Sequence, residues 1–228
     1  MYTDGTYLEK NPTWHEEHSP WKASLISKIL QRNQIIPSSI CEIGCGAGEI
    51  LNSLTKVSSP ETVFCGYEIS PQAFEICRHK AKTNLQYFLK DLCNEPDSYF
   101  DVVLAIDVFE HIDDYLGFLR QLRHKGKYKI FHIPLDLSIY TVLKSSPILR
   151  LRTSVGHLHY FTKETALATL EDTGYEILDY FYTNCYLELP TQGWQTLVRR
   201  LPQPLLNCIY HDLTVRLLGG FSLIVLAK

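Results

Sequence analysis

Short apolar runs alternate with amphipathic stretches along most of the chain. Ser39 to Ile43, Thr62 to Tyr67, Leu85 to Leu89, Phe100 to Ile106 and Lys127 to Ile133 read as strands. Helical spacing recurs around them. Ala23, Leu25, Ile26, Ile29 and Leu30 form one stripe, opened by Ser19 as a hydroxyl cap with Pro20 in the first turn, and stopped by Pro37. Ser70-Pro71 opens a second helix by the same logic, and Leu116, Leu119 and Leu122 stripe a third. This alternation predicts an α/β fold of parallel βαβ units, with crossover helices on both sheet faces. Beyond the fifth run, residues 134–161 read as irregular. A helix is expected from about Lys163 to Asp172, ended by Gly174, with strands over Tyr175 to Thr183 and Phe221 to Ala227. Pro190 to Leu218, rich in leucine, resolves only into one or two short amphipathic helices.

Composition narrows the class. A chain of 228 residues, 45% hydrophobic and 21% charged, buries a core without disulfides or a structural metal, so one domain over 1–228 is expected. Within it, 1–37 read as an N-terminal helix and lid region, 38–184 as the ligand-binding core, and 185–228 as C-terminal helices and a last strand. Twenty-two basic against 25 acidic residues leave a net charge of -3, with no global positive field for nucleic acid. The seven scattered cysteines suit a reducing cytoplasm. The start lacks a basic and apolar leader and no run approaches the ~20 apolar residues that span a bilayer, so neither secretion nor membrane spanning is expected. Peripheral membrane association, and a choice between monomer and homodimer, stay open.

In an open parallel sheet, ligands bind beyond the carboxyl ends of the strands where strand order reverses. Four such places carry suitable chemistry. Gly44-Cys45-Gly46-Ala47-Gly48 follows the first strand, where glycines permit a tight turn and a close backbone approach at a helix N-terminus. Glu68 ends the second strand at the ~20-residue offset where a carboxylate accepts from ribose hydroxyls. Asp91-Leu92 follows the third strand, suited to an adenine amino group, and Asp107-Val108 follows the fourth. A glycine turn with an acidic partner indicates a nucleoside cofactor.

Glu42-Ile43-Gly44-Cys45-Gly46-Ala47-Gly48, with its acidic residue before the glycines, resembles the first motif of the class I S-adenosylmethionine (AdoMet)-dependent methyltransferases. The resemblance extends over about residues 38–184 and takes in Glu68, Asp91 and the run Phe100 to Ile112. It implies a Rossmann-like, doubly wound, mostly parallel sheet of seven strands whose last strand is antiparallel. It also implies AdoMet as cofactor, S-adenosylhomocysteine as product and a small-molecule acceptor. By motif match, Glu42 and the amides of Gly44, Cys45 and Gly46 neighbour the methionyl part, Glu68 and Ile69 the ribose, and Asp91 and Leu92 the adenine. Asp107 and Val108 fall beside the reacting methyl. A nicotinamide oxidoreductase is disfavoured, because no second G-x-x-G element follows Gly46 at the expected offset. A non-catalytic AdoMet-binding protein is the alternative from another class.

Methyl transfer from a sulfonium rests largely on orientation, and a base assists when the acceptor is a hydroxyl. His159, ranked ahead of His157, and His111 after the fourth strand are the candidate bases. Asp107-Val108-Phe109-Glu110-His111 also resembles the acidic-x-x-Glu-His pattern by which some ubiquinone-pathway and small-RNA methyltransferases hold a divalent metal. Aspartate reaches less far than glutamate, so metal is not favoured. The segment from Tyr7 to Lys22 is dense in aromatic and titratable residues, as a lid would be, with Trp14 and Trp21 excluding water and Lys22 pairing with the cofactor carboxylate. Its N-terminal pattern is similar to bacterial methyltransferases of glycan and secondary-metabolite pathways, which favours a sugar or metabolite hydroxyl. N- or C-methylation of a quinone- or lipid-pathway acceptor is the runner-up. Tyr140 to Arg152 and Thr196 to Leu218 are expected to wall the acceptor site, with Arg150, Arg152, Arg199 and Arg200 available to a phosphate or carboxylate.

Overall fold

The computed structural model describes residues 6–14, 16–188 and 211–228. Seven strands form one sheet: β1 (Ser39–Ile43), β2 (Val63–Glu68), β3 (Leu85–Leu89), β4 (Phe100–Ile106), β5 (Gly126–Leu135), β6 (Ile177–Thr183) and β7 (Phe221–Ala227). Their order is β3-β2-β1-β4-β5-β7-β6, with β7 antiparallel to both neighbours and β1 to β5 parallel. Strand order reverses between β1 and β4, which places the expected crevice over their carboxyl ends. Four of the strands, β1, β3, β4 and β7, coincide with the ranges read from sequence. β2 runs one residue later than its run, so Glu68 is its last residue.

Burial on both faces explains why the central strands β1, β4 and β5 read as continuous apolar runs. Ile40, Val102, Leu104 and Ile130 face one layer, against Ile26 and Ile29 of helix α2 (Ser19–Arg32) and Leu51 and Leu54 of α3 (Glu49–Leu54). Their chain neighbours Cys41, Val103, Ala105 and Phe131 face the other, against Leu119 and Leu122 of α5 (Tyr115–Leu122) and Ala166 and Leu170 of α8 (Lys163–Asp172). Each fully buried leucine or isoleucine contributes roughly 1.5–3 kcal/mol of apolar transfer. Ser70 caps α4 (Pro71–Cys77) through the Ala73 amide, as the sequence indicates, and Thr162 caps α8 through Thr165.

Local expectations fail at three points. His18, not Ser19, is the N-cap residue of α2; Ser19 lies inside the helix with its side chain buried, so proline rather than a capping hydroxyl marks the start. The helix ends at Arg32, ahead of Pro37, where Gln34 turns the chain with φ +55°. Residues 134–161 are not irregular: they hold α6 (Ile139–Lys144), started by a Ser138–Thr141 capping box, and α7 (Ser146–Ser154), with Pro147 in its first turn. Neither helix has a fully buried residue, so no core-facing periodicity announces it. The short helices α1 (Thr6–Lys10) and α9 (Cys185–Glu188) flank the core. Within the expected C-terminal helices, α10 (His211–Leu218) forms and packs on α6. Arg199, Arg200 and the rest of 189–210 lie outside the described residues.

Candidate active site

A cavity of about 750 Å³ opens over the carboxyl ends of β1, β2, β4 and β5. Gly44, Gly46 and Gly48 form its floor. Gly44 has φ +64° and lies against Val108; a Cβ there would come 3.2 Å from the Val108 side chain. Gly48, φ +78°, is the N-cap residue of α3, and a Cβ on it would sit 2.7 Å from both the Tyr87 ring and Cys77. The turn is tied down by Cys45 N–H to the Tyr67 carbonyl at 3.1 Å and by Tyr87 Oη to the Gly48 carbonyl at 2.7 Å.

Two carboxylates frame this turn. Glu68 is 5% exposed and accepts three backbone N–H groups, from Gly46 at 2.7 Å and from Ile69 and Ser70 at 2.8 Å each. Burial pushes its carboxyl up and these amides pull it back, with burial the larger effect. Glu42, at 2% exposure, is held well above the ordinary carboxylate range by burial, against the pull of Lys22. Its buried Oε2 has no hydrogen-bond partner among the described residues. A buried acceptor without a donor costs free energy unless a ligand supplies the donor. An ammonium group over the glycine turn would do so, which fits the methionyl end of AdoMet.

Asp91 lines the cavity and caps the turn after β3 through the Cys93 N–H at 2.9 Å. Ile69 and Cys93 also line it, whereas Leu92 is fully buried in the core and does not. Asp107 and Val108 lie at the end of β4 as expected. Asp107 has φ +55°, a strained value for a residue with a side chain. Its carboxylate accepts from His132 Nδ1 at 2.6 Å and from Lys22 Nζ at 2.7 Å. Burial alone would raise this group, but the pull of His132 and Lys22 outweighs it and holds the carboxyl well below its usual range. Lys22 is itself raised: Asp107 more than offsets the burial that would lower it. Lys22 therefore stays charged against Asp107, one of its three N–H groups engaged there.

The three histidines separate. His157 lines the cavity, is 8% exposed, and has Nδ1 2.6 Å from Asp136 Oδ2. His111 lines it too, its ring 4.8 Å from that of His157 and its Nδ1 3.1 Å from the Gly156 carbonyl. Burial, then His157, lower its pKa to about 4. His159, ranked first from sequence, is not among the cavity-lining residues. Its Nε2 meets the Ile112 carbonyl at 2.9 Å and its ring packs on Tyr115 at 4.3 Å. Of the acidic-x-x-Glu-His pattern, Glu110 and His111 gather with His157, ligand atoms within 4.8 Å of one another, while Asp107 is turned to Lys22 and His132. Glu110 is fully buried, both its oxygens lack a hydrogen-bond partner among the described residues, and burial followed by Asp107 keeps its carboxyl far above the ordinary range.

Sequence reasoning missed His132 and Asp136. His132 sits inside β5, bridging Asp107 to Thr183 Oγ1 at 3.0 Å, and its apolar neighbours gave it the look of a strand interior. Asp136 directly follows β5, so the rule that selected Asp91 and Asp107 would have found it. The N-terminal segment covers the cavity: Tyr7, Trp14, Trp21 and Lys22 all line it, with Trp14 against Gly46. Lys10 and Asn11 reach the Thr153 and Ser154 carbonyls of α7, and Trp21 Nε1 reaches Glu188 of α9. α2 also packs on the sheet.

A doubly wound sheet with a glycine turn at its switch point and carboxylates closing its strands defines a nucleoside-cofactor-binding α/β protein. A family model described as a methyltransferase domain matches residues 14–180. The chain belongs to that family and is a class I AdoMet-dependent methyltransferase. Over 70 residues it is 40% identical to the ribosomal protein L11 methyltransferase of Paraburkholderia xenovorans (strain LB400), a stretch covering 29% of this chain and 22% of that protein. The chain thus matches about a fifth of that relative's length. Among solved structures it is similar to a SAM-dependent methyltransferase from Thiobacillus denitrificans in complex with S-adenosylhomocysteine, with TM-score 0.65, 12% identity, and coverage of 100% of this chain and 99% of that one. Magnesium protoporphyrin IX methyltransferase from Synechocystis PCC 6803 gives TM-score 0.60 at 17% identity, covering 91% and 82%. At these identities the structural likeness speaks for the fold. Among the described residues, no helix is long and apolar enough to cross a membrane.

Proposed function

We propose that this enzyme methylates a hydroxyl oxygen of a small molecule, a sugar or secondary metabolite, with His157 as the base and Asp136 as the residue that positions it. The observation that carries this reading is the 2.6 Å contact between His157 Nδ1 and Asp136 at the cavity wall. A carboxylate only accepts, so Nδ1 donates and Nε2 is left as the basic nitrogen. The segment is held by the Glu110 carbonyl, which accepts the Leu158 and His159 amides at 2.8 and 3.1 Å. With AdoMet bound, its sulfonium would supply the methyl group and leave as a neutral thioether with the electron pair of the broken bond, and Nε2 of His157 would take the proton that the acceptor hydroxyl gives up. His111, neutral near pH 7 given its pKa of about 4, does not compete for that proton.

For the cofactor, Glu42 receives the amino group, Glu68 and Ile69 the ribose, and Asp91 the adenine. The free N–H groups of Lys22 meet the carboxylate while Asp107 holds its amine in place. This assignment draws support from the unsatisfied Glu42 Oε2 and from the glycine turn, whose φ values keep the backbone bare.

The test is turnover with an acceptor identified by labelled-cofactor transfer in a metabolite extract. His157→Gln should lower turnover by ~10²–10⁴ while S-adenosylhomocysteine affinity stays within about twofold. Asp136→Asn should also lower turnover, with kcat falling far more than KM changes, as loss of a group that positions the base would. Wild-type turnover in His157→Gln would end the assignment of the base, and label on nitrogen or carbon would end the hydroxyl reading.

A further inference from the structure

α6 and α7 carry an unusual surface. Val142, Leu143 and Leu149 are 56%, 81% and 60% exposed, on helices with no fully buried residue. Lys144, Arg150 and Arg152 are exposed among them, and among the described residues none of the three makes an ion pair. Lys144 lies over the exposed Tyr140 ring at 4.9 Å, its stem along apolar surface. From 137 to 155 the sequence holds no acidic residue, although the whole chain has a net charge of -3. The basic charge is therefore local, and it is set among aliphatic side chains.

We infer that this face docks on an anionic lipid bilayer, with Val142, Leu143 and Leu149 entering the interface and Lys144, Arg150 and Arg152 meeting lipid phosphates. Charge complementarity selects this occupant. Isologous pairing with a second copy would set three cations against three others, with no carboxylate between 137 and 155 to relieve them. Aliphatic side chains interleaved with cations suit the headgroup and acyl boundary. The net negative charge elsewhere orients the molecule with this face toward the surface. The opposite side of α7 places Leu151 and Val155 in the cavity wall. A docked enzyme thus holds the acceptor side of its cavity next to the bilayer, within reach of an amphiphilic substrate. Docking itself does not depend on which atom is methylated.

Co-sedimentation of the full chain with sucrose-loaded vesicles tests this, using phosphatidylcholine alone or mixed with phosphatidylglycerol. Binding is expected on the mixed vesicles at low salt, with far less on phosphatidylcholine alone. The triple variant Lys144→Ala, Arg150→Ala, Arg152→Ala should lose about a hundredfold in partition, since each cation near such a surface is worth several-fold. Leu143→Ser with Leu149→Ser should also weaken binding, by about tenfold. Both variants should keep the wild-type unfolding midpoint and S-adenosylhomocysteine affinity. The inference is overturned if the wild type ignores anionic vesicles, or if either variant binds as the wild type does. Sedimentation velocity showing a dimer that Leu143→Ser breaks would assign the face to a second copy and overturn it equally.

Discussion

Replacing Glu68 by glutamine changes one oxygen to an NH2 and nothing else, so its consequences follow from three contacts. Oε1 accepts from Ile69 and Ser70, and Oε2 accepts from Gly46. The glutamine carbonyl keeps the first pair, but its NH2 then faces the Gly46 N–H, donor to donor. One charge-assisted bond, worth roughly 1.5–3 kcal/mol, is lost. Relief from burying a carboxylate offsets part of this, so folding should weaken by about 1–2 kcal/mol, or roughly 2–8 °C in Tm for a chain of this size. Two effects act on the cofactor: the glycine turn loses its tether, and the ribose loses a charged acceptor. Affinity for S-adenosylhomocysteine should fall by more than ~1.4 kcal/mol, one decade, in calorimetry at a temperature where the variant is fully folded. Glu68→Ala would leave all three amides without an acceptor and confuse instability with lost binding, which makes glutamine the sharper probe. Affinity within about twofold of wild type in the folded variant would refute the ribose role; wild-type stability would refute the account of the tether.

Two further outcomes test the framework of the site. Gly48→Ala should destabilise by at least ~1–2 kcal/mol from the left-handed backbone alone, and more from its 2.7 Å clash with Tyr87 and Cys77; urea unfolding would show this, and an unchanged midpoint would contradict it. Glu110, whose folded pKa is raised by burial, favours its protonated form on folding. Its contribution is intact below the unfolded carboxyl pKa of about 4.3 and declines as pH rises toward the folded value, by up to ~1.4 kcal/mol per unit. Glu110→Gln should therefore gain on the wild type between pH 5 and pH 8 in chemical denaturation, and a stability difference that stays flat with pH would show that Glu110 is ionised.

What the sequence made legible follows from where each signal is stored. β1 and β4 were readable to the residue because both faces of each are buried, so their apolar runs start and stop with the sheet. The glycine turn and Glu68 were readable because their roles depend on backbone freedom and on position after a strand, both local properties. α6 and α7 escaped because most of their apolar side chains are exposed, where no period marks a core. The histidines show the harder limit. His157 and His159 are two residues apart, and nothing near either separates the proposed base from a wall residue. The difference is supplied by Asp136, 21 residues before His157, and by the Ile112 carbonyl, 47 residues before His159. Asp107 is similar: motif position placed it by the reacting group, yet its partners His132 and Lys22 come from β5 and α2, and its φ of +55° is set by neither neighbour's type. A site assembled at a switch point draws its polar pairs from strands and loops far apart in the chain. The residues proposed to seat a nucleoside are therefore more visible in one sequence than those proposed to move a proton.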